Sequence, residues 1–212
     1  MSPRNGSAAA EPMRVDLQVV ADMVDRRARV LDVGCGDGAL LDWLVHHKDV
    51  DGRGMELSQP GVNAGVTRGL SVVQGDADQD LRIYPADAFD FAILSQTLQA
   101  TRNPKGVLTE LVRIAPRAIV SFPNFAYWRV RWQLLTRGRM PVTKGLPASW
   151  YETANIHQCT IRDFAELCDE LGVSIERGVS IERGGRARPF RTPPNAWINW
   201  TCELGVFLLH RI

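Results

Sequence analysis

The sequence reads as one doubly wound α/β domain built on a mostly parallel sheet. Short apolar runs of strand length alternate with helical segments as far as Phe122, and a glycine-rich turn follows the first of those runs. The length of 212 residues gives room for one domain of ordinary size.

Taken in order, residues 1–12 form a Ser/Ala/Gly-rich leader that reads as disordered. The domain then spans 13–212. Met13, Leu17, Val20 and Val24 recur at helical spacing and predict an amphipathic helix ending near Arg26, with Pro12 suited to its first turn. RVLDV at 29–33 predicts a buried strand, ALLDWLVHH at 39–47 a helix and GRGMEL at 52–57 a second strand. SVVQG at 71–75, FDFAILS at 89–95 and RAIVSF at 117–122 are further strands, and Pro104 opens a helix over 104–113. Strands alternating with helices at this spacing call for right-handed crossovers and parallel pairing. The alternation lapses at about 123–157, where Tyr127, Trp128, Trp132, Trp150 and Tyr151 flank a turn-rich stretch, so an inserted cap is expected. Thr160 precedes a helix whose Ile161, Phe164, Leu167, Cys168 and Leu171 share a face, and Asp163 completes an approximate capping box. The hexapeptide VSIERG occurs twice in succession, at 173–178 and 179–184, and reads as a strand plus an extended loop, too short to be a solenoid unit. TCELGVFLLH at 201–210 is expected to close the sheet.

Composition narrows the function. An apolar fraction of 45% with 23% charged residues is that of an ordinary globular chain. No run approaches the length of a membrane span and the first ten residues lack a signal-peptide core, so the expected setting is cytoplasmic with no membrane partner. Four scattered cysteines show no paired or zinc-type spacing, and no metal site follows from them. The net charge of +1 hides an asymmetry: residues 14–110 carry 15 acidic and 10 basic side chains, whereas 111–212 carry 8 and 14. No acidic residue lies between Glu110 and Glu152. That basic run suits a solvated face or an acidic protein partner better than a nucleic acid, because the overall pI is only about 7.7.

In an open α/β sheet a ligand sits beyond the carboxyl ends of the strands, near the point where strand order reverses. The first strand runs into Asp32 and then Gly34, Gly36 and Gly38, a turn whose glycines let the backbone approach a ligand without Cβ obstruction. The same residues satisfy the dinucleotide spacing G-x-G-x-x-A, with Glu56 placed 20 residues beyond Gly36 to meet a ribose. Asp32 favours a different ligand, since a carboxylate inside the strand suits an ammonium group and repels a pyrophosphate. Asp76, in QGDAD after the third strand, is positioned to accept from an exocyclic amine.

VLDVGCGDG resembles the glycine motif of class I S-adenosylmethionine (SAM)-dependent methyltransferases, and the chain from about Arg14 onward resembles the methionine biosynthesis protein MetW family. ILSQTLQATRNP at 93–104, VSFPNFAYWRVRWQLLTRGRMPVTKGLPASWYET at 120–153 and NIHQCTIRDFAELC at 155–168 carry that resemblance. It implies a Rossmann-like methyltransferase fold with a seven-stranded sheet and an antiparallel last strand, a role in methionine biosynthesis, and a homoserine O-acyltransferase partner. The methyltransferase motif implies that Asp32, Gly34, Gly36 and Gly38 line the methionine portion of SAM or S-adenosylhomocysteine, Glu56 the ribose, and Asp76 with Ala77 the adenine. Ser95, Gln96 and Thr97 are implied to face the sulfonium and substrate side. The doubled VSIERG departs from the family pattern over 173–184.

The candidates for acid–base work are Tyr127, Tyr151, Glu152 and His157, near the expected cap. Each has an ordinary alternative: packing for the tyrosines, surface charge for Glu152, a loop hydrogen bond for His157. Three functions therefore stand side by side. The first is a SAM-binding subunit that supports homoserine O-acyltransferase. The second is an active methyltransferase on a small metabolite, and the third is an NAD-dependent oxidoreductase that rests on the dinucleotide spacing alone.

Overall fold

A computed structural model describes residues 13–143, 145–182 and 184–211. The leader expected to be disordered lies outside them, as does Pro12. The elements follow in chain order as α1 (Val15–Met23), β1 (Arg29–Val33), α2 (Ala39–Lys48), β2 (Asp51–Glu56), α3 (Gln59–Thr67) and β3 (Ser71–Gln74). Then come β4 (Phe91–Ser95), α4 (Pro104–Ile114), β5 (Arg117–Pro123), α5 (Trp128–Arg137) and α6 (Ile161–Glu170). The chain ends with β6 (Val173–Glu182), β7 (Arg186–Phe190), α7 (Ala196–Thr201) and β8 (Leu204–Arg211).

Among the described residues one sheet of eight strands runs in the order β3-β2-β1-β4-β5-β8-β6-β7. The first five strands pair in parallel, while β8 runs antiparallel between β5 and β6. Seven strands were expected; the eighth is β7, which folds back on β6 as an antiparallel neighbour. Alternation along each strand feeds two cores. Leu31, Val33, Leu94, Val120 and Phe207 point to the face covered by α4 and α6, and Val30, Ile93, Ile119 and Val206 to the face covered by α1 and α2. Burial of these side chains is the main stabilising term.

The duplicated hexapeptide corrects the expectation of a strand plus loop. One long strand, β6, takes in the whole first copy and residues 179–182 of the second. A hexapeptide repeat in a strand would normally keep equivalent residues on one face, because the side-chain period is two. A β-bulge between Ile175 and Arg177 breaks that parity. Val173 accordingly packs in the core on the α4/α6 face and Val179 in the core on the α1/α2 face.

Helix ends follow local chemistry. Ser58 Oγ accepts from the Gly61 N–H and Asn103 Oδ1 from the Gly106 N–H, each with a proline in the following first turn. The predicted capping box at α6 is present, with Thr160 and Asp163 bonded reciprocally. The helix α1 ends at Met23, before the expected Arg26, because Val24 is already extended.

Candidate functional site

The strand order reverses between β1 and β4, so their carboxyl ends diverge and leave a cleft. Gly34, Gly36 and Gly38 all hold positive φ, at 72°, 58° and 79°. A Cβ at Gly34 would lie 2.4 Å from Thr97 Oγ1, whereas one at Gly36 would meet nothing within 4 Å and would instead fill the open cleft. The turn therefore brings bare backbone to the cleft at the point where the strands part.

Two lobes make up the cleft and share Gly34 and Gln96. A lobe of about 370 Å³ is bounded by Glu56, Asp76, Ala77, Thr97 and residues 154–156. One of about 170 Å³ is bounded by Asp32, Cys35, Gly36, Ser95 and Arg14. A further cavity of about 120 Å³ lies under residues 140–158 and shares Gln96 and Asn155 with the larger lobe. Gln96 thus lines all three spaces. It is held at φ 55°, unusual for a residue with a Cβ, by its N–H to Ser121 O at 2.8 Å and its side-chain amide to Asp16 Oδ2 at 2.6 Å. Ser95 Oγ and Ser121 Oγ lie 3.1 Å apart behind it.

Asp32 is 2% exposed, and its carboxylate has no hydrogen bond among the described residues. Burial, with the nearby Glu56 carboxylate adding to it, pushes its pKa up to about 7. Glu56 is tied into the glycine turn: Oε2 accepts from the Gly36 N–H at 2.9 Å, and Oε1 from the Ser58 N–H and hydroxyl at 2.9 and 2.8 Å. Asp76 accepts from the Asp78 N–H at 3.0 Å and the Gln79 amide at 3.1 Å, so its carboxylate also organises its own loop. Cys35 packs against the floor of β2, and burial, with the Asp32 and Glu56 carboxylates, pushes its thiol up to about 12, which keeps it protonated and unreactive.

The structure brings Asp32, Gly34, Gly36, Glu56, Asp76, Ala77, Ser95, Gln96 and Thr97 to the lining of the two lobes, whereas Gly38 lines neither and a Cβ there would lie 2.5 Å from Leu70 Cδ1. It does not bring the acid–base candidates there. Tyr127 is buried with Val130 and Leu146, Tyr151 is exposed against Trp150, and Glu152 accepts from the Ser149 hydroxyl on the surface. His157 is exposed with Nε2 3.2 Å from Arg102 O. None of the four lines either lobe.

Several residues around the cleft went unread in the sequence. Arg14 pairs with Asp16, which in turn receives the Gln96 amide. Burial works against the charged form of Asp16, but the Arg14 guanidinium and Gln96 more than offset it and hold the carboxyl below its usual range. A signal for Asp16 existed: it stands on the apolar face of α1, between Met13 and Val20. Asp78 accepts from the Arg102 and Asn103 N–H groups at 2.8 Å each, fixing the loop after β3 to the start of α4. Gln99 is 1% exposed; its carbonyl accepts from the Ile156 and His157 N–H groups at 2.9 Å each, and its amide donates to Pro123 O at 3.0 Å. The two bonds to the Gln99 carbonyl lay residues 154–156 over the larger lobe.

Known proteins resemble the chain at two levels. In fold, it superposes on a SAM-dependent methyltransferase from Thermotoga maritima with a TM-score of 0.70 at 17% identity, covering 93% of this chain and 88% of that one. A SAM-dependent methyltransferase from Mesorhizobium loti gives 0.65 at 17% identity over 93% and 98%. The [4+2]-cyclase SpnF gives 0.64 at 17% identity over 92% and 80%. In sequence, the chain is 32% identical over 210 residues to a bifunctional methionine biosynthesis protein MetXA/MetW of Rhodopirellula baltica. That match takes in 94% of this chain and 33% of the relative, so the chain spans about a third of it. The pattern of the family described as methionine biosynthesis protein MetW matches residues 14–209, and the chain belongs to that family.

Proposed function

We propose that the protein binds SAM or S-adenosylhomocysteine in the two-lobed cleft and serves methionine biosynthesis as an accessory subunit of a homoserine O-acyltransferase. The observation that carries the ligand reading is Asp32, a buried carboxylate without a partner at the head of the smaller lobe. An ammonium group satisfies it, and a pyrophosphate does not. Arg14, which lines the same lobe and pairs with Asp16, suits the carboxylate of the same amino-acid moiety. Glu56 keeps a lone pair on Oε2 available for a ribose hydroxyl beside its bonds to Gly36 and Ser58, and Ala77 offers an apolar wall to a base. SAM carries an activated methyl group. The chain's own residues bind and orient the ligand at Gln96, and the lining described for the adjoining cavity under residues 140–158 holds no titratable side chain.

The accessory reading is supported by the fused relative, in which a MetW region and a MetXA region share one chain. An active methyltransferase acting on a small metabolite is the second reading, favoured by the cavity under residues 140–158 that adjoins Gln96. Methyl transfer to a good nucleophile needs mainly alignment, so a missing base does not oppose it. The resemblance to SpnF, a cyclase, illustrates that the fold does not dictate methyl transfer.

Calorimetric titration with S-adenosylhomocysteine tests the ligand reading. One site per chain is expected. Glu56→Ala should weaken it by about 1.5–3 kcal/mol, the range for a hydrogen bond to a charged group. Gly36→Val should weaken it further, since its side chain enters the open cleft from a positive-φ position. Binding of NADH with no binding of the thioether would refute the reading.

A further inference from the structure

We propose that an aromatic face formed by α5 and α7 is the docking surface for the acyltransferase, which meets it with an apolar centre and an acidic rim; this rests on the partnership proposed above and assigns it a place. Trp128, Trp132 and Leu135 follow each other at helical spacing along α5, whose one buried residue is Val130. Trp200 of α7 completes a hollow of about 590 Å³ with them. These are not half-hidden core residues: Trp132 is 61% exposed, Leu135 80% and Trp200 43%. Monomeric proteins seldom leave contiguous apolar surface of this kind open, and tryptophan with arginine is the composition of binding hot spots.

Charge identifies the occupant. The Arg129 guanidinium lies 5.5 Å from the Trp128 ring and that of Arg131 5.3 Å from the Trp200 ring, and Arg137 and Arg139 follow at the end of α5. None of these four pairs with a carboxylate among the described residues, and the sequence holds no acidic residue between Glu110 and Glu152 to offset them locally. A second copy meeting the face isologously would set arginine against arginine, which is unfavourable. A partner with carboxylates around an apolar projection satisfies both parts of the surface at once.

The test titrates the full chain with the homoserine O-acyltransferase of the same organism. Two double variants probe the two parts: Trp132→Ala with Leu135→Ser, and Arg137→Glu with Arg139→Glu. All four side chains are exposed, so melting temperatures should stay close to wild type. Each variant should raise Kd at least tenfold, while Val66→Ser, on α3 at the opposite sheet edge, should leave it unchanged. Wild-type affinity should fall with added salt, and that dependence should shrink in the arginine variant. Wild-type binding by both variants would overturn the surface and leave the partnership standing. No binding by the wild-type chain would overturn both. Self-association of the wild type that is lost in the tryptophan variant would assign the face to a second copy, against the proposal.

Discussion

Asp32 sits at the end of β1 with 2% of its surface exposed and no hydrogen bond among the described residues, next to the carboxylate of Glu56. Its folded pKa of about 7 stands above the value near 4 that the unfolded chain would show. The folded state therefore holds an extra proton between those values, and the group lowers stability as pH rises through that window. Asp32→Asn removes the charge while keeping the shape. It should raise stability, with a gain that widens by up to about 1.4 kcal/mol per pH unit from pH 4 to pH 7 and levels off above, as thermal melts across pH would record. The same variant should lose S-adenosylhomocysteine binding, since the ligand's ammonium needs the ionised carboxylate. In the wild type, affinity should strengthen as pH rises from about 5.5 toward 7 and then flatten. A stability gain independent of pH would show that the Asp32 carboxyl is not the strained group. The motif that placed Asp32, Gly36 and Glu56 was legible in the sequence because spacing along successive strands fixes which residues reach the same sheet edge. The Arg14–Asp16–Gln96 chain was not, because it joins α1 to the end of β4 across 80 residues.

At the scale of the elements, Asn124 does for the end of β5 what capping residues do for helices. Its amide donates to Asn199 O and Cys202 O at 2.9 Å each, and its Oδ1 accepts from the Ala126 N–H at 3.0 Å and the Ile161 N–H at 3.3 Å. One side chain thus joins β5, the start of α6 and the end of α7. Asn124→Ala would leave those buried groups unpaired and should lower stability by roughly 2–4 kcal/mol, or several degrees in Tm. Thr160→Ala breaks only the capping box at α6 and should cost about 1 kcal/mol. An equal loss for the two variants in denaturant titrations would mean that the Asn124 junction carries no special weight. The strands β1 to β5 and α4 were readable to within a residue or two because burial and periodicity agree there. The helix α3 was missed because QPGVNAGVT has two glycines and a proline, although Ser58 followed by Pro60 is a start signal. The six-residue α7 escaped for a different reason: its only local signal is the Asn195 cap, and Asn199 O and Cys202 O anchor it to Asn124, 75 and 78 residues away. The bulge in β6 was equally illegible, since two identical hexapeptides give no hint that they face opposite cores.

For the whole molecule, the cleft lies beyond the carboxyl ends of β1 and β4, and the aromatic face is carried by α5 and α7. Gln99 and Asn124 join the two through the end of β5: Gln99 bonds to Pro123 and to the chain over the larger lobe, and Asn124 bonds to α7. An accessory subunit needs a ligand site and a partner face, and it does not need a catalytic base. The sequence puts the tryptophans of α5 and Trp150 in one expected cap, and the structure separates them: Trp128 and Trp132 line the aromatic hollow, and Trp150 lines the cavity under residues 140–158. The measurement that bears most directly on the accessory role is the rate of acyl transfer to homoserine by the acyltransferase alone and with this chain added, run with methyl-labelled SAM present. Acyl transfer should speed up in proportion to the complex formed, with the label remaining on SAM. An unchanged acyl-transfer rate, with label passing to a small metabolite, would contradict it and establish the protein as a methyltransferase.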